Sequence, residues 1–275
     1  MLTETDSAFV VKGKFRTAEL KSKFYKDKFK KCVLLPLALM IFAFGIGVFV
    51  QKDLGSSLIL AIICFICFMS TPRDYYKKYK KLVWIALAVS VVILGFLITA
   101  VLQSYQLQRI NSWLKPLEIK NIYSSSWQLV NSLIAFADGG IFGLGLGNSI
   151  QKYDYIPEAH NDFIGAIIYE ELGVFGLALI IIPTAIIIFR LLKYADQIQD
   201  NKSRVILIGI SSYFMLHLLV NLGGVSGLIP MTGVPLLLIS AGGSSTIASL
   251  MAIGIAQAII SKFNKEQLEK TDTHS

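Results

Sequence analysis

Apolar residues in this chain do not alternate with polar ones; they gather in long blocks. Such blocks occupy residues 33–50, 54–69, 82–102, 163–192, 205–222 and 244–260. A helix needs roughly 17 to 25 residues to cross the hydrocarbon core of a bilayer. The block at 54–69 is marginal alone, but the tight turn Gln51-Lys52-Asp53 couples it to the block before it. The pattern therefore predicts an all-α, polytopic transmembrane helix bundle of about six spans. Two intervening stretches are unlike ordinary connections. Residues 103–162 make a long loop that is not disordered in composition, and Tyr105, Trp113, Tyr123 and Trp127 suit the headgroup level. From Trp127 to Phe136 apolar residues recur at helical spacing, which predicts a short interfacial or re-entrant helix. Residues 223–243 spread Pro230, Thr232, Gly233, Pro235, Ser240, Gly242 and Gly243 through an otherwise apolar stretch. Non-helical backbone at membrane depth survives only where protein buries it or a cavity hydrates it. This stretch therefore reads as a broken helix beside a substrate cavity, or as a bent hairpin closing the bundle.

Composition agrees with the block pattern. Of 275 residues, 54% are hydrophobic and only 16% charged, where soluble domains carry about 25%; mean hydropathy is +0.62. The formal net charge of +8 would suit nucleic acid, but the placement of the cations argues against that partner. They flank the apolar blocks. With the N-terminus in the cytoplasm, inside segments collect nine, five, four and three Lys or Arg, against five outside: Lys52, Arg109, Lys115, Lys120 and Lys152. That is a strong positive-inside bias. It predicts a multi-pass protein of the bacterial cytoplasmic membrane with both termini cytoplasmic. The expected division is a basic cytoplasmic lead-in at 1–31, a transmembrane core at 32–262 with external loops at 103–162 and 223–243, and a cytoplasmic tail at 263–275. The lead-in is a solvated flank whose lysines favour an anionic leaflet. Its polar first ten residues predict no secretory signal. Cys32, Cys64 and Cys67 have neither disulfide nor metal-site spacing and read as packing residues.

Candidate chemistry concentrates between Tyr153 and Gly173. Glu158, His160 and Asp162 fall within five residues, just before Phe163 opens the longest apolar block, and Glu170 and Glu171 lie two turns inside it. A carboxylate at membrane depth is costly and marks a functional site by default. Glu158 and Asp162 also read as solvated loop acids capping a helix. The positive-inside assignment puts them on the outer face, where nucleoside triphosphates are absent and a synthetic reaction needs an activated substrate delivered through the membrane. The glycines from Gly139 to Gly147 match no phosphate-cradling pattern and allow tight turns and close packing. His217 and Asn221, four residues apart on one helix face, read as packing or cavity-lining residues.

Three motifs together resemble the SEDS family, which includes FtsW, RodA and SpoVE. The first runs from Gly139-Gly140-Ile-Phe-Gly143 through Gly147-Asn-Ser-Ile-Gln151-Lys152 into Tyr155-Ile-Pro157-Glu158-Ala159-His160-Asn161-Asp162-Phe163-Ile164, ending at Glu170-Glu171-Leu172-Gly173. The second is Pro230-Met-Thr232-Gly233-Val-Pro235 through Ile239-Ser240-Ala241-Gly242-Gly243-Ser244-Ser245, and the weaker third is Asp53-Leu54-Gly55-Ser56. Within the family the match looks nearest the FtsW branch. The resemblance covers nearly all of this chain and corresponds to about the last six of the family's usual ten spans, so the first four are expected to have no counterpart here. Asn161 stands where Thr is usual, Ala241 where an aromatic is usual, Leu237 where a second Pro is usual, and Lys52 where a Pro is usual; His217 takes a position often held by Gln. None removes the acidic centre.

The resemblance implies a peptidoglycan glycosyltransferase that polymerises lipid II on the outer face of the membrane. Asp162 matches the family's essential aspartate and is the expected catalytic base, since a sugar hydroxyl is a poor nucleophile at neutral pH. Expected substrate-binding residues are Lys152, Arg109, Glu158, His160, Ser240, Gly242 and Gly243, with Lys152 and Arg109 placed to hold the departing diphosphate. A divalent cation, Mg or Mn, is an expectation of the chemistry, and no ligand spacing assigns it. The expected partner is a class B penicillin-binding protein. Two other readings stay open. One is a lipid II transporter using the same polar residues; the other is a catalytically inactive, partner-binding paralogue.

Overall fold

The computed structural model describes residues 47, 53–71, 111–118, 126–157 and 159–272. Among these residues all regular structure is helical and there is no strand. Besides a helical stretch at 111–114, five helices follow in order: α1 (Leu54–Ser70), α2 (Trp127–Gly139), α3 (Ile164–Gln197), α4 (Asn201–Val225) and α5 (Gly243–Asp272). Helices α3, α4 and α5 are long and apolar enough to cross a membrane, and α1 is a shorter apolar helix. The blocks at 33–50 and 82–102 lie outside the described residues.

Local chemistry sets the helix ends. Asp53 caps α1, its carboxylate accepting from Ser56 N–H at 3.0 Å, and Thr71 closes it by donating its backbone N–H to the Phe68 carbonyl. Asp200 caps α4 in the same way, accepting from the N–H groups of Lys202 and Ser203. Each such cap satisfies donors that an α-helix cannot pair within itself. Helix α5 runs twelve residues past the apolar block ending at 260, because Lys, Glu, Gln and Leu favour helix and Phe263 packs on Tyr194 of α3.

The largest departure from the sequence pattern is in α3. The apolar block at 163–192 reads as one span, but the helix is broken at Gly173, with φ 62° and ψ −144°. An L residue with a side chain rarely adopts that conformation. The freed carbonyls are not left bare. Glu170 O accepts from Leu144 N–H at 2.9 Å, Glu171 O accepts from Gly145 N–H at 2.9 Å, and Val174 N–H donates to Ile141 O at 3.0 Å. The glycine-rich connection after α2 has therefore replaced a turn of helix.

Helices α3 and α4 form an antiparallel pair joined by a three-residue turn at 198–200, and α1 packs on α4 while α2 packs on α3. One core cluster, Ala135, Ile156, Phe163, Ala166, Ile167 and Val225, ties α2 and the acidic loop to the adjoining ends of α3 and α4. A second, around Leu191, Ala195, Leu207 and Ala256, closes the opposite end against α5. Trp113 Nε1–H donates to the Gly227 carbonyl at 2.8 Å and Ser132 Oγ–H to the Val225 carbonyl at 2.7 Å, which pins the long connection to the end of α4.

Candidate active site

The segment between α4 and α5, residues 226–242, has no helix. Where a broken helix or a bent hairpin was expected, the structure has an irregular loop folded over the start of α3. Three polar contacts hold it there. Ala241 N–H donates to the His160 carbonyl at 3.0 Å. The buried Ser240 hydroxyl donates to the Asn161 carbonyl at 2.7 Å while accepting from Leu236 N–H at 2.8 Å. Asn221, reaching from α4, donates through Nδ2 both to the Asp162 carbonyl and to the Val234 carbonyl, each at 2.8 Å. Three consecutive carbonyls, those of residues 160, 161 and 162, are thus clamped in register.

The clamp fixes the backbone of Asp162 through its carbonyl and those of the two residues before it. The side chain is half-buried, and a Cβ placed on Gly233 would lie 3.4 Å from Asp162 Oδ2. Asp162, Asn221, Met231, Thr232 and Gly233 border a small hollow that has no interior room even for water. The expected capping role for Asp162 is not seen at the helix end, where Phe163 is the N-cap residue and makes no side-chain capping bond.

The other wall comes from α1. A Cβ on Gly55 would sit 2.8 Å from the Thr232 carbonyl, so only glycine lets the start of α1 approach this closely. His217 on α4 faces the Pro235 carbonyl through Nδ1 at 3.3 Å. All three sequence motifs meet here, with residues 230–241 between the other two.

A second polar cluster lies beside the broken helix. Glu170 is fully buried. Its carboxylate accepts from Ser149 Oγ–H at 2.5 Å, from Ile150 N–H at 2.9 Å and from Gln151 N–H at 3.3 Å. Glu171 accepts from Gly147 N–H at 3.0 Å and pairs with Lys152 Nζ at 2.9 Å. Lys152 also donates to the Gly147 carbonyl at 2.5 Å. The Glu171 hydrogen bond holds the Lys152 ammonium above its usual pKa. Both glutamates thus fasten residues 147–152 to α3 through hydrogen bonds, where membrane depth alone had marked them as functional.

Of the residues singled out by sequence, the structure gathers Asp162, His160, Ser240 and Gly242 around one loop junction. His160 is exposed, and Ser240 uses its hydroxyl on the two loops. The Gly242 carbonyl accepts from the Ser245 and Thr246 hydroxyls at the start of α5, where exposed Gly243 is the first helical residue. Lys152 belongs to the Glu171 cluster. Arg109 and Glu158 lie outside the described residues. Asn221 was read as a packing or cavity-lining residue, and its clamp on Asp162 could not be read from its apolar sequence neighbours. Among the described residues no group of three His, Cys, Asp or Glu side chains is arranged to hold a metal ion.

Fold and site together define a polytopic, all-helical membrane protein whose polar chemistry is collected under an irregular loop at one end of the bundle. The model of the cell cycle protein family of FtsW, RodA and SpoVE matches residues 15–266, and the chain belongs to that family. It is 38% identical over 248 residues to the Bacillus subtilis protein named "Probable peptidoglycan glycosyltransferase FtsW", covering 89% of this chain and 60% of that relative. It is 32% identical over 240 residues to "Stage V sporulation protein E" of the same organism, covering 85% of this chain and 63% of the relative. A solved chain from a peptidoglycan synthase complex shares the fold with a TM-score of 0.62 at 23% identity, over 82% of this chain and 60% of that one. The chain thus spans about 60% of the length of these proteins.

Proposed function

We propose that the chain is a peptidoglycan glycosyltransferase that joins lipid-linked disaccharide units on the outer face of the cytoplasmic membrane, with Asp162 as the base. The observation carrying this is the clamp. Three carbonyls around Asp162 are fixed by Ala241, Ser240 and Asn221, while its carboxylate stands at the rim of a hollow. Holding a catalytic group in one geometry is what general-base catalysis requires. In this reaction the acceptor sugar hydroxyl bonds to the anomeric carbon of the donor, and the bond from that carbon to the undecaprenyl diphosphate oxygen breaks. The hydroxyl proton passes to Asp162 and then to solvent. An α-linked donor giving a β-linked product requires a single displacement, so Asp162 is a base and not a nucleophile.

The departing diphosphate needs positive charge. Lys152 is the described external cation nearest the acidic loop in sequence, and reaching the diphosphate requires it to exchange Glu171 for the phosphate. Exposed His160 and the Gly242–Gly243 turn are candidate contacts for the sugar–diphosphate portion. The described carboxylates do not form a preformed metal site, so no step is assigned to a metal. The positive-inside bias supports cytoplasmic termini. A membrane-anchored transpeptidase is the proposed partner, supported by the shared fold with a chain of a complex that coordinates polymerization and crosslinking.

The test is to reconstitute the chain in vesicles carrying leaflet-labelled lipid II, alone and with a class B penicillin-binding protein. Polymer in either arm supports the proposal. Lipid II crossing the membrane without polymer favours a transporter. Neither product in both arms favours a non-catalytic, partner-binding subunit.

A further inference from the structure

The connection from Gly140 to Lys152 is built inside out compared with a loop in water. Its backbone donors turn inward: the N–H groups of residues 144 and 145 reach the Glu170 and Glu171 carbonyls, and those of residues 147, 150 and 151 reach the two carboxylates. Its apolar side chains turn outward. Ile141, Leu144 and Ile150 are exposed, and Phe142 and Leu146 are 79% and 77% exposed. A loop facing water gains nothing from this arrangement, because water would satisfy the donors and penalise the exposed side chains.

The exposed apolar surface also continues without interruption onto α3. Phe142 stacks on Phe175, with ring centroids 6.3 Å apart and planes at 29°. Phe175 begins an exposed stripe running through Leu179, Ile182, Ile186 and Phe189. The spacing of four and three residues puts this stripe on one face of a helix long enough to cross the bilayer. That face is exposed among the described residues, and Phe142 lies against its outer end.

We infer that residues 140–150 are not an aqueous loop but a membrane-embedded one, whose Phe142 and Leu146 side chains lie among the hydrocarbon chains of the outer leaflet. Glu170 and Glu171 make this possible by pairing the backbone that a bilayer cannot hydrate. Tyr153 and Lys152, 5.4 Å apart as a cation over a ring, then stand at the headgroup level, where aromatic rings and snorkelling cations are favoured. The inference does not depend on the reaction proposed for Asp162.

Single spin labels at Phe142→Cys and Leu146→Cys, in a background without Cys32, Cys64 and Cys67, test this in liposomes through collision with oxygen and with a water-soluble nickel chelate. Ile182→Cys serves as the lipid reference and Lys115→Cys as the aqueous one. The expected result is an oxygen-to-nickel ratio at 142 and 146 close to that at 182 and several-fold above that at 115. Nickel collision matching position 115 overturns the inference, as does low collision with both reagents, which would show these side chains covered by protein. Leu146→Trp in the otherwise native chain provides a second measurement. Brominated lipids in the outer leaflet should quench its added fluorescence, and absence of quenching overturns the inference.

Discussion

Asn221 and Asp162 are joined by a 2.8 Å hydrogen bond from a side-chain amide to a backbone carbonyl, across 59 positions of sequence. The same amide nitrogen holds the Val234 carbonyl at 2.8 Å, so one side chain on α4 sets the distance between the acidic loop and the loop that covers it.

Removing that bridge strands two buried carbonyls. Asn221→Leu, similar in size but without donors, should destabilise the protein by about 1–3 kcal/mol for the unpaired groups. Asn221→Gln retains the amide at a different reach and should lose less. Thermal unfolding in detergent reads both effects. Equal stability of Asn221→Leu and the parent would contradict the bridge.

Glu170 gives a sharper contrast. Glu170→Leu leaves the Ser149 hydroxyl and the Ile150 and Gln151 N–H groups without their acceptor. The expected cost is on the order of 3 kcal/mol or more. Glu170→Gln keeps one carbonyl oxygen and should cost less than half as much. Hydrogen exchange over residues 147–152 should rise in the Leu variant first, before any global unfolding is seen.

Gly173 sits at φ 62°, and a Cβ there would lie 2.2 Å from the Ile141 carbonyl. Gly173→Ala should therefore cost more than the roughly 1–3 kcal/mol of a side chain forced into a glycine-only backbone conformation in open space. Gly140 provides the control, since its φ is 50° but nothing lies within 4 Å of an added Cβ. Denaturation midpoints for the two Ala variants should differ in that order.

How much of this was legible in sequence depends on the range of the interaction. Block hydropathy located α1, α3, α4 and α5 because burial in lipid acts on each segment separately. It missed the break at Gly173, since a glycine inside an apolar run carries no local mark of positive φ. The Glu170–Glu171 pair and the glycines before Lys152 were both conspicuous in sequence. Their pairing is tertiary, linking positions about twenty residues apart, and no periodicity encodes it. Asp162 was found through its motif, whereas the clamp that holds it uses Asn221 and Ser240, whose types are common in turns and packed helices.

Asp200 supplies a pH-dependent test away from the site. The Ser203 hydroxyl first, with help from the Ser203 and Lys202 N–H groups, holds its carboxyl below the usual value against the opposing effect of burial. A carboxylate whose folded pKa is depressed contributes stability that is fully present above its unfolded pKa of about 3.9, and that is lost as pH falls through the folded pKa. Asp200→Ala should cost about 1 kcal/mol near neutral pH. The gap to the parent should narrow progressively as pH falls below about 4, as unfolding curves across that range will show.

The most direct measurement of the central claim is glycan polymerisation from purified lipid II by Asp162→Asn beside the parent protein, each reconstituted with the proposed transpeptidase partner. The amide keeps the size of the side chain and, in this account, all three clamped carbonyls, so the variant should fold and bind lipid II as the parent does. Polymer should fall to background. Parental polymer yield from a folded Asp162→Asn protein would contradict the account.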